Sequence, residues 1–186
     1  MLPSFAEGLP VDEIPLVSLM GLRLARIDRW QLLDHLFATL ASGRVGWLVT
    51  ANLDFLRRYV VDASSRSLYD AADLRVADGM PLIWACKVQG TSLPGRVPGS
   101  SLVWLLVERA AREGRSLYLL GGTPEANVGA AKVFEEKYHG LKLCGWSCPM
   151  LGSRRRRQRS TRWWRSSSGA GPTFSWWHWD RPSRSN

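Results

Sequence analysis

Apolar positions along the chain fall into short continuous runs separated by longer stretches of helical period. Leu16-Val17-Ser18-Leu19-Met20 and Leu22-Arg23-Leu24 predict a first strand or hairpin. Asp28 predicts the cap of a helix through Trp30, Leu32, Leu33, Leu36, Phe37 and Leu40, closed by Gly43. Val45-Gly46-Trp47-Leu48-Val49-Thr50 is almost wholly apolar, as a strand buried on both faces would be. Asn52 or Asp54 then opens a helix carrying Leu53, Leu56, Tyr59 and Val60. Asp73-Leu74-Arg75-Val76 predicts another strand, which runs into Ala77-Asp78-Gly79-Met80-Pro81, with a helix opening after the proline.

A Gly/Pro loop from Gly90 to Gly99 leads to a helix capped by Ser100 or Ser101 that runs through Leu102, Leu105, Leu106, Ala110 and Ala111. Ser116-Leu117-Tyr118-Leu119-Leu120 is the clearest buried strand. Gly121-Gly122-Thr123-Pro124 turns it into a further helix, with Thr123 as cap and Pro124 at the first helical position. Leu141-Lys142-Leu143-Cys144 is the next strand. Regular alternation of strand and helix predicts an α/β fold, a parallel sheet covered by helices.

The length of 186 residues suits one domain with a real core. We expect that domain over residues 14–150, behind a flexible arm at 1–13. The net charge of +9 suggests nucleic acid until it is located. Residues 153–186 hold nine Arg and one acid, Asp180, which is +8, so residues 1–152 carry about +1. That tail contains Arg154-Arg155-Arg156-Arg157, five of the ten tryptophans and no sustained period. One reading makes it a basic, aromatic-interleaved arm, and the protein a non-enzymatic binder of nucleic acid or anionic membrane.

The other reading, which we prefer, is that the tail is out of frame and disordered. Tryptophan has a single codon. Taking the third base of each codon with the first two of the next, Trp176-Trp177-His178-Trp179-Asp180 must encode Val-Ala-Leu-Gly. One permitted back-translation of Gly171 to Asn186 then gives Pro-Asp-Ile-Leu-Leu-Val-Ala-Leu-Gly-Ser-Pro-Lys-Gln-Glu-Gln. In the same frame residues 160–170 can become an amphipathic Leu-Asp-Ala-Val-Val-Glu-Glu-Leu-Gln-Arg-Ala. A helix followed by a buried strand continues the preceding rhythm. We therefore expect a frameshift near Met150–Ser153 and a fold truncated at the C-terminus.

Cys86, Cys144 and Cys148 are too few and too irregular for a disulfide framework or a zinc site, and they fit a reducing cytosol. No apolar run approaches a membrane span, and the N-terminus lacks the basic and apolar regions of a signal peptide.

Candidate chemistry gathers at the expected strand ends. In open α/β sheets ligands bind beyond the carboxyl ends of strands, where Thr50, Asn52, Asp78, Gly79, Gly121 and Gly122 all fall. Each has a plainer explanation. Asp78 and Asn52 could each cap a helix, Thr50 could be an ordinary strand residue, and Arg96 a solvated loop charge. Gly121-Gly122 could be only a tight turn, although such a turn can bring backbone N–H groups to a phosphate. It is neither a GxGxxG nor a Walker loop, which leaves NAD and ATP unsupported.

As an ordered set these elements closely resemble the WecG/TagA/CpsF glycosyltransferase family. The matching pieces are Thr50-Ala51-Asn52, Ala72-Asp73-Leu74 with Ala77-Asp78-Gly79, Arg96-Val97-Pro98-Gly99-Ser100, Leu119-Leu120-Gly121-Gly122, and Tyr138-His139-Gly140-Leu141 before Gly145 and Pro149. The shifted-frame Leu-Gly-Ser-Pro-Lys-Gln-Glu is similar to that family's next motif. The resemblance implies a Rossmann-like enzyme that moves an N-acetylhexosamine, of the N-acetylmannosamine type, from a UDP-sugar to a polyprenyl-diphosphate-linked saccharide. Such transfer serves teichoic acid or other cell-surface polysaccharide. It further implies Asp78 as general base, Thr50 and Asn52 positioning the sugar, Arg96 on the diphosphate, and Gly79, Gly121 and Gly122 as substrate-binding. No metal or other cofactor is implied, nor any nucleic acid. The expected location is cytoplasmic and peripheral, at the inner face of the cell membrane, with a homo-oligomer possible. Because the Pro-Lys-Gln-Glu stretch, which helps complete the active site in that family, is absent from the translated chain, the resemblance implies poor donor binding and little or no turnover in this form.

Overall fold

In the computed structural model, which describes residues 14–148 and 174–178, Leu16–Leu19 (β1) and Leu22–Ala25 (β2) form an antiparallel hairpin. Its two-residue turn has Met20 at φ 51° and Gly21 at φ 89°, the doubly positive pair that matches strand twist in tight hairpins. Asp28 closes a capping box on helix α1 (Arg29–Ala41), accepting from the N–H groups of Trp30 and Gln31. The helix ends at Ser42, just before the expected Gly43.

Strand β3 (Leu48–Ala51) pairs in parallel with β4 (Leu74–Ala77), with Thr50 opposite Val76 and Ala51 opposite Ala77. Two helices connect them, α2 (Leu53–Val61) and α3 (Ala63–Asp70), and α4 (Met80–Val88) follows β4. Burial on both faces belongs to β4, all four residues of which are buried. The expectation for β3 is corrected on two counts. The strand starts at Leu48, leaving Val45 87% exposed, because the Asp73 carboxylate takes the Trp47 N–H at 2.6 Å and fixes the entry there. Its burial also alternates, with Val49 and Ala51 inward and Leu48 and Thr50 half-buried. Helix α3 has no counterpart among the sequence expectations.

This first compact unit, Met1–Leu102, is built on Leu22, Leu24, Val49, Ala51, Leu56, Tyr59, Ala77, Leu82 and Cys86. Among its described residues Arg75 is a buried guanidinium. Arg75, on β4, donates from Nε to the Arg23 carbonyl at 2.9 Å and from Nη1 to those of Tyr69, Asp70 and Ala72 at 2.9, 3.3 and 2.7 Å. These carbonyls solvate the guanidinium and tie the end of α3 and strand β2 to β4.

The second unit, Val103–Asn186, has β5 (Ser116–Gly121) between β6 (Lys142–Ser147) and β7 (Phe174–His178), all parallel. Helix α5 (Gly99–Arg112) precedes β5, and α6 (Pro124–Lys137) connects it to β6. Val107, Leu117, Leu119 and Phe134 form the core. Three expectations shift. Helix α5 begins at Gly99, ahead of Ser100 and Ser101, with the N–H groups of Ser101 and Leu102 already bonded to the Pro98 carbonyl. Strand β5 alternates between buried and half-buried residues, and β6 continues beyond Cys144 to Ser147. A register shift opposite Leu117/Tyr118 accompanies that extension, with Gly145 at φ 141°. The α6 start is as expected, with Thr123 accepting from Ala126 and Pro124 in the first turn.

Two parallel strand–helix–strand crossovers make the protein α/β with Rossmann-like units. The expectations for the arm at 1–13 and for the tail at 149–173 and 179–186 lie outside the described residues.

Candidate active site

Parallel pairing of β3 and β4 brings their carboxyl ends side by side. Asp78 extends the ladder one residue past β4, its N–H donating to the Ala51 carbonyl at 2.8 Å. The tips thus present Thr50 and Asn52 from β3 next to Asp78 and Gly79 from β4.

Asn52 and Asp78 were both possible helix caps, and they divide. Asn52 does cap, its Oδ1 accepting the N–H groups of Asp54 and Phe55 at 3.0 and 3.1 Å. Its amide NH2 has no partner among the described residues. Asp78 does not cap α4. The cap of that helix is Gly79, which offers no side-chain bond. The half-buried Asp78 carboxylate turns instead to the Gly99 N–H, 3.5 Å from Oδ2. Gly79 itself has extended backbone, and a Cβ there would meet only Pro81 Cδ, at 3.5 Å. Glycine at 79 is therefore not a steric necessity of the fold.

Loop 91–98 is folded against the β4 tip. Leu93 is sunk in the core and Val97, 2% exposed, donates its N–H to the Ala77 carbonyl at 2.7 Å. This carries the exposed Arg96 into the electrostatic neighbourhood of Asp78. Burial raises the Asp78 pKa above the ordinary carboxylate value, while the Gly99 N–H and the Arg96 charge pull the other way. An acid so raised holds a proton more readily, which suits a base acting near neutrality.

Gly121 and Gly122 belong to the second unit, at the β5–α6 turn, with φ of 102° and 66°. Two successive left-handed residues favour glycine strongly. The buried Asn127 donates its side-chain N–H to the Gly121 carbonyl at 2.7 Å and lies 3.0 Å from the Cys148 sulfur. Sequence reading passed over Asn127, as it did the Gly99 N–H. Neither carried a signal: Asn127 sits in an ordinary helical stretch, and a backbone donor has no sequence mark beyond the start of its helix.

An acid at the tip of a parallel strand, an amide beside it and a cation on the covering loop make these strand carboxyl ends the candidate site of an α/β protein. The model of the glycosyl transferase WecG/TagA/CpsF family matches residues 17–168, most of the chain. The protein belongs to that family and is a glycosyltransferase, acting on a sugar donor and an acceptor. Among the described residues no helix is long and apolar enough to cross a membrane.

Proposed function

We propose that this protein transfers an N-acetylhexosamine, of the N-acetylmannosamine type, from a UDP-sugar to a saccharide carried on a polyprenyl diphosphate, in cell-surface polysaccharide or teichoic acid assembly. The observation that carries this reading is the Asp78 carboxylate at the β4 tip, half-buried, raised in pKa and within the field of Arg96, in a chain of this family. Asp78 takes the proton from the acceptor hydroxyl as its oxygen bonds to the sugar anomeric carbon. The bond from that carbon to the diphosphate breaks with inversion, and UDP leaves with the electron pair. Arg96 meets the negative charge that grows on the diphosphate, where a guanidinium can bind two oxygens at once. Thr50, the Asn52 amide and Gly79, all of the first unit, position the sugar. The reaction uses no metal or other cofactor, and it takes place at the inner face of the cell membrane.

We further infer that the codons beyond about residue 150 are read in a shifted frame. In support, the strand β7 at Phe174–His178 falls where the shifted frame reads Ile-Leu-Leu-Val-Ala-Leu-Gly. A frame-restored chain is accordingly the form in which turnover is to be measured. Label from a UDP-N-acetylhexosamine should pass into the butanol-soluble fraction with a polyprenyl-diphosphate-linked saccharide acceptor. Label that remains in the aqueous phase would count against the proposal.

A further inference from the structure

The first N–H of helix α5 has no carbonyl partner within its own helix, as holds for every helix start. Here that N–H belongs to Gly99, which is buried, and a buried amide without a partner is costly. Pro98 offers no N–H of its own, and its carbonyl is taken by Ser101 at 3.1 Å and Leu102 at 2.9 Å. Among the described residues the one acceptor for the Gly99 N–H is Asp78 Oδ2, at 3.5 Å. The approach is built in, because the Val97 N–H bond to the Ala77 carbonyl, 2.7 Å, pins the chain entering α5 against the strand that ends at Asp78.

We propose that the Gly99 backbone N–H is a positioning group for the catalytic carboxylate, holding Asp78 Oδ2 so that Oδ1 faces the acceptor hydroxyl. Oδ1 has no partner among the described residues, so the two oxygens are divided between holding and reacting. The N–H favours the ionised form. It opposes the effect of burial, and it ranks ahead of the Arg96 charge in doing so. Helix α5 thereby keeps the base both oriented and available to accept a proton. This inference rests on Asp78 being the base, and its test needs no turnover.

In the full chain labelled with carbon-13 and nitrogen-15, the Gly99 amide resonance is followed with pH alongside the Asp78 side-chain carboxyl carbon. The two should titrate with one midpoint, and the Gly99 response should vanish in Asp78→Asn. Gly99→Pro deletes the N–H at a helical position that accepts proline, and should move the Asp78 midpoint to higher pH. Gly99→Ala keeps the N–H and should leave the midpoint where it is. A Gly99 amide that ignores the Asp78 transition in the wild-type protein overturns the proposal, whether or not Gly99→Pro folds. If Asp78→Asn keeps full transfer activity while Gly99 still titrates with Asp78, it is the base assignment that fails.

Discussion

Ionising Asp78 works against folding, because burial raises its pKa in the native protein above its value in the unfolded chain. A group shifted in that direction stabilises the fold below the unfolded pKa, and that contribution is lost as pH rises through the native one. Asp78→Asn should therefore melt at a higher temperature than wild type at neutral pH. The gap should close as pH falls below the ordinary carboxylate range. Equal melting temperatures across that range would mean the carboxylate is not strained by its surroundings. The same residue shows how far sequence alone reaches. Both Asn52 and Asp78 stand where a helix cap would stand, and no local pattern separates them. Only the backbone, which gives Asn52 two amides to cap and turns Asp78 toward Gly99, tells them apart.

Between elements, the joint at Arg75 is the most consequential. One buried guanidinium gathers carbonyls from β2 and from the end of α3, and so fixes β4, whose tip carries the candidate base. Arg75→Met keeps much of the side-chain volume but takes the charged donor from those carbonyls, of which that of Tyr69 keeps the Ala72 N–H at 3.2 Å. We expect a loss of about 3 kcal/mol in urea unfolding, the scale of hydrogen bonds to a charged group removed from a buried site. A loss near zero would show that the carbonyls find other donors. The sequence signalled β4 as a strand but hid the role of Arg75, since a cation in an apolar run reads as an interruption. Helix α3 was illegible for a related reason. Ala63–Asp70 buries only Tyr69, so there is no apolar period to find, and Asp62 starts the helix by capping it through Ser64 and Ser65. Helix α6, with its Thr123 cap and first-turn Pro124, was readable because its signals are local. Strands β3 and β5 were placed by their apolar runs, but which faces are covered depends on neighbours the run does not name.

For the whole molecule, the net charge of +9 describes the tail more than the enzyme, since residues 1–152 carry about +1. The shifted-frame reading makes a plain prediction for the gene. Its bases across codons 148–186 should contain, in one alternative frame, an amphipathic helix followed by a strand and Ser-Pro-Lys-Gln-Glu. Sequencing that finds no such open frame would return the Arg/Trp tail to the native protein. The family and the α/β fold were legible because the diagnostic residues recur at strand ends in a fixed order. The division into units at Leu102 and Val103 was not, because helix α5 runs through it without a break in its apolar pattern. The central claim is that this glycosyltransferase uses Asp78 to deprotonate its acceptor. Its most direct test is the initial rate of label transfer from a UDP-N-acetylhexosamine to the lipid-linked acceptor, for the frame-restored protein and for its Asp78→Asn variant. The account predicts that the variant binds the donor as before but transfers about a hundredfold to ten-thousandfold more slowly, the range typical of losing a positioned base. A folded Asp78→Asn protein that transfers at the wild-type rate would contradict it.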